Sequence, residues 1–484
     1  MEEVMNLFEL FEQRVASYPN SYAIIDEKEE IKKTYSELLS DASLFANQLS
    51  SHGIGLGDRV LILEGMSYRL YVSLIALFKL GATAVFVDPS QTAEFVNHAC
   101  LIAEPKAMIA SPKALLLKLK FRSIWLIPLT ICTKKIPFFH SMNLNFQGSN
   151  TDLSVDAQSE ALMSFTSGST ALPKAIVRTH EFLLQQHQVL LPHIELQEKE
   201  RDFTALPVFL LANLLSGLCS VIANVSLQSP QKIAPDKLLH TINKYKIQRI
   251  GASPALYEQL VRSKKSIEFS PRAFYMGGAP VMPSLLHKLH KKFPQTSLHV
   301  LYGSTEAEPI SHYELGALTQ EIEQKMLRGG GLYVGKVVPQ ITLKFLEDGE
   351  ILVSGAHVVK SYYKQVGDKE NKLIEDGVIW HKTGDIGYLD ANNELWLLGR
   401  KNAIIKTESG ILHPFSIEVA MREKTGKMAA LVQHRGEVLL LSEAKESDAT
   451  FEGVDRVLYK SIIPLDRRHN AKVDYNRLKK LLIK

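Results

Sequence analysis

Three stretches of the sequence share one order, an apolar helical pattern followed at once by a short β-rich run. They are YVSLIALFKLGATAVFVDP (71–89), LLHTINKYKIQRIGASP (238–254) and SLLHKLHKKFPQTSLHVLYGSTE (284–306). Repeated alternation of this kind predicts an α/β fold, with parallel strands covered by helices on both faces. Ligands of such sheets bind beyond the carboxyl ends of the strands, so the loops after these runs are the first candidate sites.

The pattern changes after residue 340, and 484 residues exceed what one hydrophobic core usually organises. ITLKFLEDGEILVSG (341–355) and GYLDANNELWLLGRK (387–401) are each typical of two strands joined by a tight turn. Short elements follow Gly399-Arg400, in a basic segment. We therefore predict a large N-terminal domain of helix-covered sheets over 1–399 and a small α+β domain over 400–484.

Charge and cysteine content exclude several classes of function. The formal net charge of +4 is small for this length, and the basic run LHKLHKK (286–292) has the spacing of a solvated helix face, so nucleic-acid binding is not expected. The three cysteines are far apart and have no CxxC spacing, which argues against a zinc site or a disulfide framework. The acidic N-terminus has no basic n-region, and a cytoplasmic location is expected.

One segment, residues 203–231, contains no charged residue and is long enough to span a bilayer. Pro207, Asn213, Gly217 and Asn224 interrupt it, and its flanks have no aromatic anchors. We expect a fully buried helix of a large α/β core, with membrane contact as the alternative and no stable membrane insertion.

A run of small hydroxyl residues, SFTSGSTALPK (164–174), lies between two predicted strands, ALMSF and AIV. Thr179 is the predicted N-cap of the helix that follows, with Glu181 in its first turn. The run is not a strand-to-helix Walker loop, because GxxxxGK[ST] is absent. Its hydroxyls, a glycine that lets backbone N–H groups turn inward, and Lys174 suit a polyphosphate. A solvated Ser/Thr turn explains the same residues equally well.

Two later stretches follow or precede predicted strands. In VLYGSTEAEP (300–309), Tyr302 is suited to stack on a base, Thr305 to bond a phosphate and Glu306 to ligate Mg²⁺. In WHKTGDIGYLD (380–390), Asp385 lies between Gly384 and a strand, where a carboxylate can accept both hydroxyls of a ribose. Read alone, the first is equally an ordinary strand end, and Thr-Gly-Asp is a common turn.

In this order the stretches resemble the adenylate-forming superfamily of acyl-CoA synthetases, firefly luciferase and the adenylation domains of peptide synthetases. The resemblance covers almost the whole chain. It rests on the motifs KTYSEL (33–38), GIGLGDRVLIL (53–63), LFKLGATAVFVDP (77–89), SFTSGSTALPKAIV (164–177), YMGGAP (275–280), YGSTE (302–306), KTGD (382–385) and GRKNAIIK (399–406).

The resemblance implies a role for each matching residue. The β- and γ-phosphates of ATP would be held by Thr166, Ser167, Gly168, Ser169, Thr170 and Lys174. Gly278, Ala279 and Pro280 would flank the adenine, with Tyr302 and Gly303 beside it. Thr305 would contact the α-phosphate, Glu306 would bind Mg²⁺, and Asp385 and Arg400 would hold the ribose. Lys472 matches the catalytic lysine of adenylation, and Lys406 the lysine used after the small C-terminal domain swings about a hinge, here at Asn402.

Several positions depart from the superfamily pattern. Ala171, Ala175 and Ala471 stand where glycine is usual, which leaves a catalytically weak nucleotide- or acyl-binding protein as an alternative. Leu210 stands where amino-acid-activating members have an Asp for the substrate amine. An unpaired ammonium there would be desolvated, so a lipophilic carboxylic acid is the expected substrate.

The resemblance thus implies ATP-dependent activation of a fatty or 3-hydroxy fatty acid as an acyl-AMP, with pyrophosphate release. Transfer to CoA or a similar thiol, such as that of a carrier protein, would follow. LDRRHNAKVDYNRL (465–478) and LWLLGRKNAII (395–405) look like the β-lactone synthetases of bacterial olefin biosynthesis. Those enzymes close a 2-alkyl-3-hydroxy acid on its own hydroxyl without CoA, and the second step stays open between these routes.

Overall fold

A computed structural model describes residues 5–148, 153–167, 173–227, 229–408, 410–445, 449–465 and 473–482. Contacts divide the chain into two compact units. The first comprises Met1–Asn224 with Val359–Glu370, and the second comprises Val225–Val358 with Asn371–Lys484. The predicted division into domains at residue 400 does not coincide with these two units, and it stays a prediction.

The helices of the described residues follow in chain order. They are α1 (Leu7–Ser17), α2 (Tyr35–Ser51), α3 (Tyr68–Lys79), α4 (Ala93–Ala103), α5 (Leu117–Lys120), α6 (Arg122–Trp125), α7 (His180–Ile194), α8 (Pro207–Leu214), α9 (Pro235–Tyr245), α10 (Pro254–Arg262), α11 (Pro283–Lys292), α12 (Gln320–Leu327), α13 (Asp368–Asn371), α14 (Pro414–Thr425) and α15 (Tyr475–Leu482). Short 3-10 helices lie at Ala114–Leu116, Pro230–Lys232, Leu315–Ala317, Tyr363–Gln365 and Lys401–Ala403.

The strands are β1 (Tyr22–Asp26), β2 (Ile31–Thr34), β3 (Arg59–Leu63), β4 (Thr83–Phe86), β5 (Ala107–Ala110), β6 (Leu129–Cys132), β7 (His140–Ser141), β8 (Glu160–Ser167), β9 (Pro173–Thr179), β10 (Arg201–Thr204), β11 (Cys219–Ile222), β12 (Arg249–Ala252), β13 (Ala273–Met276), β14 (Ser297–Ser304), β15 (Ala307–Glu314), β16 (Leu332–Val337), β17 (Thr342–Phe345), β18 (Glu350–Ser354), β19 (Lys372–Glu375), β20 (Val378–Leu389), β21 (Glu394–Arg400), β22 (Ile405–Thr407), β23 (Gly410–Leu412), β24 (Ala429–His434), β25 (Glu437–Ser442) and β26 (Arg456–Tyr459).

Side-chain caps fix where several helices begin. Asn6 and Thr34 form capping boxes with Glu9 and Glu37, which satisfies otherwise unpaired N–H groups of α1 and α2. Thr179 accepts a hydrogen bond from the Phe182 N–H and begins α7 where the sequence predicts it. The caps at Thr34 and Thr179 begin α2 and α7 directly after β2 and β9.

In the first unit, one sheet has the order β7-β6-β5-β3-β4-β8-β9. Its strands run parallel except β9, which is antiparallel to β8. Strands β1, β10 and β11 pair in parallel, and β2 is antiparallel to β1. Helix α3 is buried at every position except Arg69, so an apolar helix forms the centre of this unit's core.

In the second unit the strand order is β17-β18-β20-β21-β16-β15-β14-β13-β12, with β19 beside β20. Strands β12, β13 and β14 are parallel to one another. Across the rest of this sheet, from β14 through β15, β16, β21, β20 and β18 to β17, each neighbouring pair is antiparallel. The hairpins predicted at 341–355 and 387–401 are formed by β17–β18 and β20–β21. The β22–β23 hairpin and the sheet β24-β25-β26 complete the unit, and the predicted α/β class is confirmed.

The expectation of one buried helix over 203–231 is wrong. The segment contains the end of β10, then α8, then β11, and the helix ends at Leu214. Gly217 has φ +80, a left-handed conformation that turns the chain out of the helix and into β11. The segment is apolar throughout because the buried helix α8 is followed by β11, a strand buried on both faces, and hydrophobic composition does not separate the two.

Candidate active site

A cavity of about 360 Å³ opens in the second unit, at the carboxyl ends of β13 and β14. Seven of the residues that the resemblance assigns to nucleotide binding line it. They are Gly278, Ala279, Pro280, Tyr302, Gly303, Asp385 and Arg400. Asn402, at the expected hinge, lines the same cavity. The site therefore lies at the sheet edge where the α/β pattern predicts a ligand.

Asp385 is held from two sides by groups of this cavity. It lies opposite Arg400 in the β20–β21 register, and Arg400 Nε is 3.0 Å from Asp385 Oδ1. The Tyr302 hydroxyl donates to Asp385 Oδ2 at 2.8 Å. Burial, together with the neighbouring carboxylate, raises the pKa of Tyr302 well above its ordinary value, so this hydroxyl remains a donor. Each carboxylate oxygen keeps a further lone pair with which it can accept a ligand hydroxyl.

The structure places Asp385 in a strand and not in the turn that Thr-Gly-Asp commonly forms. Asp385 lies inside the long strand β20, directly after Gly384 with φ +72, and the pairing of β20 with β21 shifts register between Ile386 and Gly387. The Asp385 N–H donates to Thr383 Oγ1 at 3.1 Å, and Arg400 Nη1 donates to the Thr383 carbonyl at 2.9 Å. Strand pairing therefore fixes both charged side chains before any ligand binds.

Glycines shape the strand ends that face the cavity. Gly278 has φ +76 and opens the turn after β13. A Cβ at Gly277 would be 3.1 Å from the Leu301 carbonyl oxygen, and one at Gly303 would be 2.8 Å from that of Ala307. Larger side chains would thus push apart β13, β14 and the tight turn into β15.

Thr305 and Glu306 form this turn between β14 and β15, and both are half-buried. The Glu306 N–H donates to Ser304 Oγ at 3.3 Å. Among the described residues, no group of three or more His, Cys, Asp and Glu side chains could hold a metal ion. A single carboxylate is nevertheless a donor set that fits Mg²⁺, which keeps several waters and shares phosphate oxygens.

The hydroxyl-rich stretch begins in β8 and ends in β9, two antiparallel strands of the first unit, and so joins two strands as predicted. Thr166 pairs with Lys174, and Ser167 with Pro173, across this hairpin. Gly168, Ser169, Thr170 and Ala171 lie outside the described residues. Lys174 is only 3% exposed, and its Nζ lies 5.5 Å from the centre of the Tyr362 ring.

Of the two predicted catalytic lysines, the structure describes Lys406 but not Lys472. Lys406 is exposed in the middle of β22, opposite Ile411. Lys472 and Ala471 lie outside the described residues, so the assignment of Lys472 rests on the sequence alone. Leu210, which stands where amino-acid-activating members of the superfamily have an Asp, is fully buried in α8.

Sequence reasoning missed part of the cavity wall. Glu418 of α14 is 8% exposed, and its Oε1 accepts hydrogen bonds from Tyr475 Oη at 2.5 Å and the Leu431 N–H at 2.8 Å. Burial raises the pKa of Glu418 to about 7. Arg422, one turn later, also lines the cavity and donates to Glu258 at 3.1 Å. Tyr475 is three positions after Lys472, so its closeness to a predicted catalytic residue could have identified it from the sequence. No sequence motif around Glu418 indicates that it lines the cavity.

None of the helices in the described ranges is both long and apolar enough to cross a membrane. The three cysteines, Cys100, Cys132 and Cys219, are buried free thiols.

Comparison with other proteins relates this arrangement to a family. The model of the AMP-binding enzyme family matches residues 11–363. An olefin beta-lactone synthetase of Stenotrophomonas maltophilia is 26% identical over 498 aligned residues, covering 92% of this chain and 90% of that protein. 4-Coumarate–CoA ligase 3 of Arabidopsis thaliana is 25% identical over 465 residues, covering 90% and 82% respectively.

The solved structure of the anthranilate CoA ligase AuaEII in complex with anthranoyl-AMP has the same fold. Its TM-score is 0.84 at 16% identity, with 99% of this chain and 98% of that chain covered. The family model covers well over half of the sequence, and residues of several of the motifs from which the resemblance was drawn line the cavity of the second unit. The chain belongs to the AMP-binding enzyme family and is an adenylate-forming ligase.

Proposed function

We propose that this enzyme activates a lipophilic carboxylic acid with ATP, forming an acyl-AMP and releasing pyrophosphate. The observation that supports this best is the Tyr302–Asp385–Arg400 cluster beside an apolar cavity. The half-buried Asp385 carboxylate offers acceptors to a ribose, and the apolar side chains of the cavity offer packing contacts to a base. In this proposal Gly278, Ala279 and Pro280 flank the adenine.

The chemistry joins two anions, so the surrounding cations matter most. A carboxylate oxygen of the acid attacks the α-phosphorus, a P–O bond forms, and the bond to the pyrophosphate oxygen breaks. Lys472 would neutralise charge at the attacking carboxylate and α-phosphate, and Lys174 with the β8–β9 connection would hold the β- and γ-phosphates. Mg²⁺, when bound by Glu306, supplies Lewis-acid neutralisation of the phosphate oxygens.

The substrate class is proposed from Leu210 and its surroundings. Leu210 is fully buried within an apolar helix, in the place that carries an Asp in amino-acid-activating members. An ammonium there would lose its hydration without gaining a partner. A fatty or 3-hydroxy fatty acid fits this place better than an amino acid.

For the second step we propose transfer of the acyl group to CoA or a similar thiol. A second candidate is closure of a 3-hydroxy acid to a β-lactone, in which the substrate's own hydroxyl displaces AMP. Similarity to olefin beta-lactone synthetases over 92% of this chain supports that candidate, and similarity to 4-coumarate–CoA ligases supports the first.

The adenylation step is tested by acid-dependent exchange of pyrophosphate into ATP. Lys472→Ala should slow exchange by about 10²–10³-fold, because a cation that stabilises the transition state is lost. The matched control is Lys480→Ala, an exposed lysine on α15 that should exchange at the wild-type rate. Equal rates for both variants would contradict the role of Lys472, and ATP binding without any exchange would favour a non-catalytic nucleotide binder.

The second step is tested by identifying products by mass after incubation with ATP and a panel of acids, with and without CoA. A 3-hydroxy acid converted to a lactone without CoA would support the lactone route. If AMP release from that acid requires CoA and yields a thioester, the lactone route fails.

A further inference from the structure

A long stretch of the first unit has one sign of charge. Between Glu104 and Asp152 the sequence contains no acidic residue. It contains seven basic residues, Lys106, Lys113, Lys118, Lys120, Arg122, Lys134 and Lys135. Lys106 and Lys134 are paired with Asp58 and Glu29, at 2.8 and 2.7 Å. The other five basic residues are a local concentration of positive charge that the proposed catalysis does not use, in a chain whose net charge is only +4.

The same stretch exposes large apolar side chains although it is folded. Phe121, Ile124 and Ile127 point into the core and are 0%, 0% and 5% exposed. Lys118 ties α5 to β6 and to the segment before it, because its Nζ donates to Thr130 Oγ1 at 2.9 Å and to the Ile127 carbonyl oxygen at 3.4 Å. The outward side chains are therefore displayed by a packed structure.

Four of these outward side chains are strongly exposed. The exposed fractions are 64% for Leu116, 78% for Leu119, 60% for Trp125 and 66% for Leu126. Helix α4 extends the set: Ser123 of α6 donates to Asn97 Oδ1 at 2.7 Å, and Leu101, one turn after Asn97, is 68% exposed. We call Leu101, Leu116, Leu119, Trp125 and Leu126 the apolar patch.

Basic side chains flank this patch. Lys113, Lys120 and Arg122 are exposed. Lys113 directly precedes the 3-10 helix of Leu116, Lys120 follows Leu119 in α5, and Arg122 begins the helix α6 that contains Trp125. The Lys120 ammonium lies 4.7 Å from the centre of the Phe121 ring, beside the apolar patch. Leucine and tryptophan among lysine and arginine are typical of helices that lie in the headgroup region of a bilayer.

We propose that the apolar patch and its basic flank form a docking surface for a bilayer containing anionic phospholipids. Apolar side chains would enter the headgroup boundary, and the basic side chains would meet lipid phosphates. A protein partner would match this surface only if it carried acidic side chains around an apolar patch of its own. An anionic bilayer presents negative headgroups above an apolar interior over its whole surface. The docking is peripheral and does not depend on which acid the enzyme activates.

The chain contains its own probe for this proposal. It has three tryptophans, and Trp125 is 60% exposed while Trp380 and Trp396 are 9% and 1% exposed. Vesicles of phosphatidylcholine with phosphatidylglycerol should shift the emission of the full-length protein to the blue and sediment with it. Vesicles of phosphatidylcholine alone should bind more weakly, and added salt should weaken binding to the anionic vesicles.

Two variants and one matched control complete the experiment. Lys120→Glu with Arg122→Glu should weaken vesicle binding by more than roughly 30-fold, because each lost basic side chain contributes about 1 kcal/mol near an anionic surface and each added carboxylate is repelled by it. Leu119→Ser with Trp125→Ser should weaken binding at least as much while leaving the melting temperature unchanged, because both side chains are exposed. Lys288→Glu with Lys291→Glu makes the same charge change on the exposed face of α11 and should bind like the wild type.

Three results would overturn the proposal. The first is equal binding to neutral and anionic vesicles, or none to either. The second is an equal loss in the α11 control, which would reflect overall charge. The third is a wild-type oligomer that the patch variants convert to monomers while vesicle binding persists, which would make the patch a contact between protein chains.

Discussion

Two neighbouring side chains hold the Asp385 carboxylate in one position. Arg400 and Tyr302 each engage one of its oxygens, at 3.0 and 2.8 Å. The side chain is 14% exposed, so its charge is balanced largely by the protein. A charged acceptor held this way forms stronger hydrogen bonds than a neutral one.

We therefore expect Asp385→Asn to weaken ATP binding by roughly 10- to 100-fold, since hydrogen bonds to charged groups contribute about 1.5–3 kcal/mol. Equilibrium titration with ATP measures the change. Asp376→Asn removes the same charge on the exposed β19–β20 turn and should bind ATP like the wild type. Wild-type affinity in Asp385→Asn would exclude the proposed ribose contact.

At the scale of elements, the Val359–Glu370 segment supports the β8–β9 hairpin within the first unit. Tyr362 packs with Ile176 of β9 and faces the Lys174 ammonium. Arg59 holds the neighbouring Tyr363 by donating to its hydroxyl at 3.0 Å, and Arg59 is itself paired with Glu160 of β8 at 2.9 Å. The position of Lys174 thus depends on residues nearly two hundred places later in the chain.

A substitution at Gly367 tests whether the Val359–Glu370 segment positions Lys174. It has φ +99, and a Cβ there would be 2.8 Å from Lys174 Cδ. Gly367→Ala should slow pyrophosphate exchange roughly ten- to hundredfold, because small displacements of charged groups are costly in catalysis. Gly377→Ala has a comparable left-handed conformation, φ +76, with nothing within 4 Å of the added Cβ, so it should lose stability without slowing exchange. Equal rates in the two variants would mean that Lys174 does not need this support.

Local patterns predict the elements that local forces decide. The two hairpins of the second unit and the start of α7 at Thr179 were predicted, because turn residues and caps act within a few positions. The stretch at 203–231 was not, since apolar composition does not distinguish a buried helix from strands buried on both faces.

At the scale of the whole molecule, one buried acid makes stability depend on pH. Burial raises the pKa of Glu418 from its ordinary value of 4.5 to about 7. The folded protein then holds this proton more tightly than the unfolded chain does. Its stabilising contribution is complete below about pH 4.5 and is lost as pH rises toward 7.

Glu418→Gln should remove this pH dependence, because the amide resembles the protonated acid and keeps an oxygen for the Tyr475 and Leu431 donors. The melting temperature of the wild type relative to the variant should fall between pH 5 and 7.5 and then level off. Tyr475→Phe should move the decline to higher pH, since the Tyr475 hydrogen bond lowers the pKa of Glu418. A constant difference across this range would contradict a raised pKa.

The α/β class, the family and the order of its motifs could be predicted from the sequence, because they depend on periodicity, turn residues and short motifs that are continuous in the chain. The fold was needed to find that Tyr302, Asp385 and Arg400 meet at hydrogen-bonding distance and that Glu418 and Tyr475 complete the cavity wall. It also decided which apolar side chains at 101–127 are buried and which are exposed. The physical reason is that strand register and packing bring distant residues together, and no local pattern specifies burial.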